Sequence, residues 1–218
     1  MRIDWASIDT VLLDMDGTLI DRKIEDRFWN EIVPREYAKK QGLTFKEAKN
    51  DFFRKSDVKE HLPDWGNISH WEKDLDIKLR DIRNLEISKT KLHPHTLRFL
   101  KFLKKQKKKI YLVTGSDPED TQVKLTFTKM LDYFDGIYTQ PGFGESKSTV
   151  GFWKKLQKEL HFNSSRTILA DDNINVLRAA QKFGIKWLVF KTIHSSVLPA
   201  HKPNELICVR HFDDVLKD

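Results

Sequence analysis

Two aspartates, Asp14 and Asp16, are separated by one residue, follow an apolar run at 11–13 and precede Gly17. Carboxylates at the end of a hydrophobic segment are costly where water is scarce, unless something pairs with them. Gly17 allows the backbone to turn tightly beside a ligand without a Cβ clash. The stretch at 14–21 is therefore either an acidic turn without function or a site that holds a positive group.

The elements that position these aspartates can be predicted from short apolar segments and helix ends. Continuous apolar runs, typical of buried parallel strands, lie at 10–13, 110–113, 167–170 and 187–190, with weaker candidates at 136–139 and 206–209. Helices between them have clear ends, such as Asp117 before Pro118 and Gly184 after a pattern at 173–183. This alternation predicts an α/β fold with a doubly wound, Rossmann-like parallel sheet.

One region interrupts the alternation. Between about residues 22 and 91 the sequence has no convincing strand pattern, but it has helical patterns and an aromatic-rich segment at 64–71. We therefore expect an all-helical insertion directly after the first strand.

Polar residues follow several of the predicted strands. Asp14 and Asp16 end the first, the segment 114–116 (Thr-Gly-Ser) ends the second, and the pair at 171–172 (Asp-Asp) ends the third long apolar run. Lys147 opens the next predicted helix. In an open parallel sheet, ligands gather at the carboxyl ends of the strands. The sequence thus predicts a site at one edge of the sheet.

These residue types suit phosphoryl transfer. Mg²⁺ prefers oxygen ligands, which Asp14, Asp172 and the backbone carbonyl of Asp16 could supply. Lys147 and Thr114 could hold the oxygens of a phosphate group. An ionised Asp14 can attack phosphorus to form an aspartyl-phosphate, and Asp16 can protonate the leaving alkoxide and later activate water.

The motifs DMDGT at 14–18, VTGS at 113–116, a later lysine and ADDN at 170–173 occur in one order along the chain. In this order they resemble the four motifs of the haloacid dehalogenase-like (HAD) phosphohydrolase superfamily. The resemblance implies Asp14 as nucleophile, Asp16 as acid and base, and a Mg²⁺ cofactor. It assigns phosphate binding to Thr114, with Gly115, and to Lys147.

The resemblance assigns the metal to Asp172, with Asp171 assisting directly or through water. The final motif reads DDNIN where many relatives have an acid-serine or glycine-aspartate variant. The division of metal ligation between Asp171 and Asp172 therefore stays open.

The position of the insertion resembles that of family members with a helical type 1 cap. Only 32 residues separate Thr114 from Lys147, which leaves no room for a large second cap. We expect a core domain at 1–19 and 92–218 and a cap domain at 20–91. Such caps close over small phosphomonoesters and exclude water.

Within the superfamily, the chain is similar to the bacterial GMP/IMP nucleotidases. The similarity lies in the stretch at 4–21, the FW and VP pairs at 28–29 and 33–34, and the segments at 64–71 and 126–138. It implies a purine nucleoside monophosphate as substrate. Four cap aromatics could stack on the base: Phe28, Trp29, Trp65 and Trp71. A phosphosugar or another small metabolite remains an alternative substrate, with phosphatase or mutase chemistry.

Composition limits the other classes of function. The net charge of +7 fits a basic surface that attracts small anions, or a nucleic-acid-binding module without catalysis. The second is disfavoured because every catalytic residue type is present. No stretch approaches the roughly 20 apolar residues of a membrane span, the N-terminus has no apolar signal region, and the single Cys208 suits a reducing cytoplasm. The oligomeric state is not predicted.

Two other motif interpretations fail on spacing. A calcium loop starting at Asp14 needs glycine where Leu19 stands, and a phosphate loop ending at Lys147 needs glycine where Ser146 stands. His93 and His95 flank Pro94 without a nearby carboxylate or cysteine, which favours a rigid hinge over a metal site.

Overall fold

A parallel sheet of six strands forms the centre of the protein in our computed structural model, which describes residues 3–59, 62–200, 203 and 206–216. The strands are β1 (Thr10–Leu13), β2 (Lys109–Thr114), β3 (Gly136–Thr139), β4 (Thr167–Asp171), β5 (Trp187–Lys191) and β6 (Ile207–Val209). Their order is β3-β2-β1-β4-β5-β6, and every neighbouring pair is parallel. Strands β2 and β3 lie on one side of β1, and β4, β5 and β6 lie on the other, so the direction in which strands are added to the sheet changes at β1. Open α/β sheets bind ligands at such positions.

Helices connect the strands and fill the segment between β1 and β2. In that segment lie α1 (Lys23–Arg27), a π-helical turn (Phe28–Ile32), α2 (Val33–Gln41), α3 (Phe45–Lys59), α4 (Ile68–Leu75) and α5 (Arg80–Ile87), followed by α6 (Thr96–Lys105). The later helices are α7 (Pro118–Phe127), α8 (Gln140–Phe143), α9 (Val150–Leu160) and α10 (Ile174–Phe183). Short 3₁₀ turns lie at Trp5–Ser7, Pro63–Gly66, Leu131–Tyr133, Ser164–Arg166 and Phe212–Val215.

Each face of the sheet is covered by its own hydrophobic cluster. Leu100 and Leu103 of α6 pack with Leu13 on one face. Trp153 of α9 and Leu177 of α10 pack on the other face. Because both faces are buried, the strands read as continuous apolar runs, which explains why their positions could be predicted from the sequence.

The helices between β1 and β2 have a third cluster of their own, which includes Phe28, Phe52 and Trp71. We refer to residues 20–91 as the helical insertion. Its two ends meet, because Ile20 and Leu92 form an antiparallel β-bridge and the amide of His93 donates to the carbonyl of Leu19 at 2.9 Å. The insertion thus leaves and re-enters the core at one place.

The predicted α/β class is confirmed. In the lysine-rich segment at 101–109, α6 ends at Lys105 and Lys109 already belongs to β2. Lys108 is half-buried, and its Nζ donates to the carbonyl of Ile8 at 2.6 Å. None of the helices in the described ranges has the length and apolar character needed to cross a bilayer.

Candidate active site

Asp14 lies immediately after β1, the strand flanked by β2 and β4. Its amide donates to the carbonyl of Ala170 at 3.0 Å, so the sheet pairing fixes the backbone up to the carboxylate. The residue is only 6% exposed. Burial raises the pKa of Asp14 to about 6, with Lys147 opposing this effect and Asp171 adding to it. At neutral pH the carboxylate therefore remains mostly ionised.

Lys147 is buried beside Asp14, not on the surface. Its Nζ donates to Asp14 Oδ1 at 2.7 Å and lies 2.9 Å from Asp171 Oδ2. Burial opposes the charge on Lys147, but the carboxylates of Asp14 and Asp171 outweigh it and raise the pKa of the ammonium. A buried lysine held in this way is a fixed positive charge.

The backbone of Lys147 is held by two further side chains. Its amide donates to Gln140 Oε1 at 2.9 Å, and its carbonyl accepts from the indole of Trp153 at 3.0 Å. Gln140 is itself 5% exposed and uses its amide group to donate to the carbonyls of Leu62 and Pro63. Gln140 therefore connects Lys147 to the helical insertion.

Asp171 and Asp172 have different partners at the end of β4. Asp171 faces Lys147 and accepts from the amide of Asn173 at 2.8 Å. Asp172 accepts from Arg22 Nη1 of the insertion at 2.9 Å. Burial raises the pKa of Asp172 well above its usual range, and the charges of Asp14 and Asp171 add to this.

Three of these carboxylates fit a divalent cation. Asp14, Asp171 and Asp172 each offer one oxygen, and these oxygens lie within 4.8 Å of one another. The buried Asp171 Oδ2 forms the ion pair with Lys147 Nζ at 2.9 Å, but no described donor meets it with hydrogen-bond geometry. Gly17, at φ +91°, leaves room for the cluster, since a Cβ there would lie 2.3 Å from Asp172 Oδ2. A set of hard oxygen donors that repel one another suits an ion such as Mg²⁺.

The side chain of Asp16 has a separate environment. Its Oδ2 accepts from Ser116 Oγ at 2.6 Å, and both of its oxygens lie 2.8 Å from Lys124 Nζ. Burial raises the pKa of Asp16, while Lys124 opposes the increase. The three-carboxylate cluster does not include this side chain.

Thr114 and Gly115 complete the same edge at the end of β2. Thr114 is 1% exposed, and its Oγ1 accepts from the amide of Ser116 at 3.2 Å. Gly115 faces the insertion, because a Cβ built on Gly66 would lie 1.9 Å from the Gly115 carbonyl oxygen. The turn Pro63–Gly66 therefore lies directly against the segment predicted to bind phosphate.

A cavity of about 350 Å³ opens above these residues, between the core and the insertion. This volume lies in the range of small-molecule sites. The core contributes the predicted polar residues Asp14, Asp16, Thr114, Gly115, Lys147, Asp171 and Asp172 to its lining. The structure thus brings together all the polar residues selected from the sequence.

The four selected aromatic residues are not equivalent. Trp29, Trp65 and Trp71 line the cavity, and Trp65 is 40% exposed. Trp71 is almost completely buried, with its indole donating to the Trp65 carbonyl at 2.7 Å. Phe28 is fully buried in the insertion's own cluster, and it is not among the described residues that line the cavity.

Several residues of the site were not selected from the sequence. They are charged or amide side chains that join the insertion to the core: Arg22, Glu25, Arg83, Lys124 and Gln140. Lys124, for example, is 108 positions from Asp16. A lone charged residue in a helix usually belongs to its solvated face, so the sequence carried no signal for these pairs.

Comparison with known proteins identifies the family. A family model described as haloacid dehalogenase-like hydrolase matches residues 8–184. The chain belongs to this family. The GMP/IMP nucleotidase YrfG of Escherichia coli (strain K12) is 30% identical over 187 residues, which cover 86% of this chain and 84% of that protein. The family and the similarity to a nucleotidase, both predicted from the motifs, are confirmed.

Solved structures of HAD-like proteins share the fold. A HAD phosphatase from Thermococcus onnurineus matches with a TM-score of 0.78 at 20% identity, over 95% of this chain and 96% of that one. A putative beta-phosphoglucomutase from Thermotoga maritima matches with a TM-score of 0.65 at 16% identity, over 96% and 97%. At these identities the similarity establishes the fold alone.

Proposed function

We propose that the protein is a Mg²⁺-dependent phosphomonoesterase that works through an aspartyl-phosphate intermediate. The observation that carries this proposal is the buried Lys147, held between Asp14 and Asp171 on the floor of the cavity. A fixed ammonium beside an ionised carboxylate offers a nucleophile together with a charge that stabilises phosphate oxygens. The family contains hydrolases, which agrees with this chemistry.

In the proposed reaction, a carboxylate oxygen of Asp14 attacks phosphorus, and the bond from phosphorus to the ester oxygen breaks. Asp16 gives its proton to that leaving oxygen. Asp16 then takes a proton from water, whose oxygen attacks the aspartyl-phosphate and releases inorganic phosphate and free Asp14. Lys147, Thr114 and the backbone at Gly115 hold the non-bridging phosphate oxygens.

The metal in this proposal is Mg²⁺, held by Asp14, Asp172 and the backbone carbonyl of Asp16. Asp171 assists either directly or through water. When bound, Mg²⁺ would neutralise charge on the phosphate and on the clustered carboxylates. The mutual proximity of the three carboxylates supports this assignment.

For the substrate, we infer a purine nucleoside 5′-monophosphate such as GMP or IMP. The support is the 30% identical relative, described as a GMP/IMP nucleotidase, together with aromatic side chains beside the polar floor of the cavity. Trp29 and Trp65 are the available base-stacking residues, since stacking on aromatic rings is favourable for every base. The almost completely buried Trp71 would support Trp65, whose carbonyl accepts from its indole. The buried Phe28 would support Trp29, whose ring it meets edge-on with centroids 5.0 Å apart.

The helical insertion at 20–91 would act as a cap on a core of residues 1–19 and 92–218. It would close the cavity over the substrate and exclude water. Its own hydrophobic cluster and its paired ends at Ile20 and Leu92 support this division. The single cysteine, Cys208, supports a reducing cytoplasm as the compartment.

Phosphate release from a panel of substrates tests the proposal. Purified protein with Mg²⁺ should hydrolyse GMP and IMP with higher kcat/KM than pyrimidine nucleotides or sugar phosphates. Preference for a sugar phosphate would leave the phosphatase chemistry intact and replace the nucleotide assignment. Absence of release from every compound would contradict the enzymatic proposal, and a salt-dependent shift of nucleic acid in that case would favour a binding module.

A further inference from the structure

Lys124 is a buried lysine that does not face the cavity. It is 1% exposed, although lysine is rarely buried completely without charged partners. The described residues that line the cavity include Asp16 and Glu25 but not Lys124. Lys124 therefore stands behind Asp16, where it cannot touch a bound substrate.

The ammonium of Lys124 joins one residue of the core to one of the insertion. Its Nζ lies 2.8 Å from both oxygens of Asp16, which follows β1, and donates to Glu25 Oε1 of α1 at 2.6 Å. The two equal contacts direct the carboxylate of Asp16 toward Lys124. Ser116 Oγ donates to Oδ2 of the same carboxylate at 2.6 Å, so Lys124 and Ser116 together orient Asp16.

Glu25 is held by the insertion in turn. Its Oε1 also accepts from Arg83 of α5, and Arg83 donates to Asp120 Oδ2 of α7 at 2.6 Å. Arg80 donates to Asp120 Oδ1 at 2.8 Å. Positive and negative groups alternate along this path, so each buried charge has a neighbour of opposite sign.

This arrangement depends on the insertion being docked on the core. Without Glu25, Lys124 would retain Asp16 as its partner, but no other described residue of the insertion would hold its Nζ. Removing one member of a buried charged group leaves the others without compensation. The position of Asp16 is thereby connected to the position of α1 and α5.

We propose that Lys124 is a positioning residue for Asp16, and that Glu25 of the insertion holds Lys124 in place, so that docking of the insertion completes the acid-base group. The inference rests on the proposed role of Asp16 as proton donor to the leaving group. It adds a dependence of that role on Lys124, which does not line the cavity, and on Glu25 of the insertion, which holds Lys124.

Leaving-group dependence provides the test. GMP releases an alkoxide that needs a proton, whereas p-nitrophenyl phosphate releases a phenolate that leaves without one. The value of kcat/KM reports only steps up to formation of the aspartyl-phosphate. Lys124→Met should lower kcat/KM for GMP about 100-fold or more, in the range of general-acid contributions, and lower that for p-nitrophenyl phosphate less than about 10-fold.

Four further variants complete the design. Asp16→Asn should show the same selective loss, and Lys124→Arg should restore part of the GMP activity because it keeps the charge. Glu25→Gln, which leaves Lys124 in place, should show a smaller loss with the same selectivity, and it serves if Lys124→Met does not fold. Lys101→Met removes an exposed lysine of α6 and should leave kcat/KM unchanged for both substrates. Circular dichroism and thermal melts check the fold of each variant.

The outcomes separate the inference from the proposed function. In one outcome, Asp16→Asn lowers kcat/KM selectively for GMP, whereas Lys124→Met and Glu25→Gln lower kcat/KM equally for both substrates or for neither. The positioning role is then wrong, and the acid role of Asp16 stands. If Asp16→Asn itself shows no selectivity, the acid role is wrong and the inference is overturned with it.

Discussion

At the scale of residues, the buried ion pair between Asp14 and Lys147 joins distant parts of the sequence. The two side chains are 133 positions apart, yet Nζ lies 2.7 Å from Oδ1. Lys147 also has Asp171 within 2.9 Å, so it stays paired if Asp14 loses its charge. This arrangement permits a variant at Asp14 that removes the nucleophile without leaving a buried lysine uncompensated.

We expect Asp14→Asn to abolish turnover while the fold remains intact. Asparagine keeps the shape of the side chain but lacks the carboxylate that would attack phosphorus, so kcat should fall below detection. Phosphate release and a thermal melt measure the two parts of this prediction. Substantial remaining turnover in a folded variant would exclude Asp14 as the nucleophile.

Asp172 leads to a prediction about metal binding that does not involve activity. A ligand that binds only the folded state stabilises it, so Mg²⁺ should raise the Tm of the protein in a concentration-dependent manner. Asp172→Asn should reduce this rise, because it removes one of three clustered carboxylates. Asp132→Asn, at an exposed aspartate, is the matched control and should behave as wild type. An undiminished rise in Asp172→Asn would assign the ion to a different set of ligands.

At the scale of elements, the turn Pro63–Gly66 is packed against the segment that follows β2. Gly66 approaches the Gly115 carbonyl so closely that a Cβ would lie 1.9 Å from the oxygen. Neither side of this contact can move by rotating a side chain, because the obstacle is backbone. The contact thus requires glycine at 66.

Gly66→Ala should therefore displace the turn and open the cavity near Gly115. We expect kcat/KM for GMP to fall about 10-fold or more, with little change in Tm, because the turn contributes little to the hydrophobic clusters. Gly142→Ala, whose Cβ would meet only the Thr139 hydroxyl at 3.2 Å, is the control. Wild-type kinetics in Gly66→Ala would show that the turn is not needed close to the phosphate segment.

Most elements of the core were predictable from the sequence, and the reason is physical. Strands buried on both faces require continuous apolar runs, and β1 and β3 match their predicted bounds while β2 and β4 extend slightly beyond theirs. The ends of α7 and α10 follow from their capping residues, Asp117 and Gly184. Such signals are local, so one segment of sequence is enough to read them.

The contacts between insertion and core could not be predicted in the same way. Glu25, for instance, is 99 positions from Lys124, and nothing in the local pattern of either residue indicates a partner. A charged residue is compatible with a solvated helix face until the tertiary structure buries it. The proposed catalytic residues could therefore be found from sequence motifs, whereas the residues that hold them in place could be found only in the folded structure.

At the scale of the whole molecule, a buried histidine affects stability where the insertion returns to the core. His93 is 5% exposed, and its Nε2 forms no hydrogen bond with any described residue. Burial and the charge of Lys191 lower the pKa of His93 to about 4, while the charge of Asp21 opposes this change. The folded protein thus keeps this imidazole neutral below the pH at which an unfolded chain would protonate it.

The sign of the pH effect follows from proton binding. Between about pH 6.5 and pH 4 the unfolded chain binds a proton at His93 that the folded chain does not, so the free energy of unfolding should fall as pH decreases. Urea unfolding at pH 7, 6 and 5 measures this slope. In His93→Gln the slope should be shallower, whereas His161→Gln, at an exposed position, should leave it unchanged. An equal slope in His93→Gln would assign the effect to other groups.

The bridge between Ile20 and Leu92 has a consequence for engineering. Because the chain departs and returns at neighbouring backbone positions, the whole segment between them is a cassette that could be exchanged without breaking the sheet. A grafted cassette of different shape would need to supply counterparts of the insertion's contacts with the core, among them Arg22 and Glu25, which meet Asp172 and Lys124. Substrate preference and core chemistry could then change separately, provided that these contacts between the insertion and the core are kept.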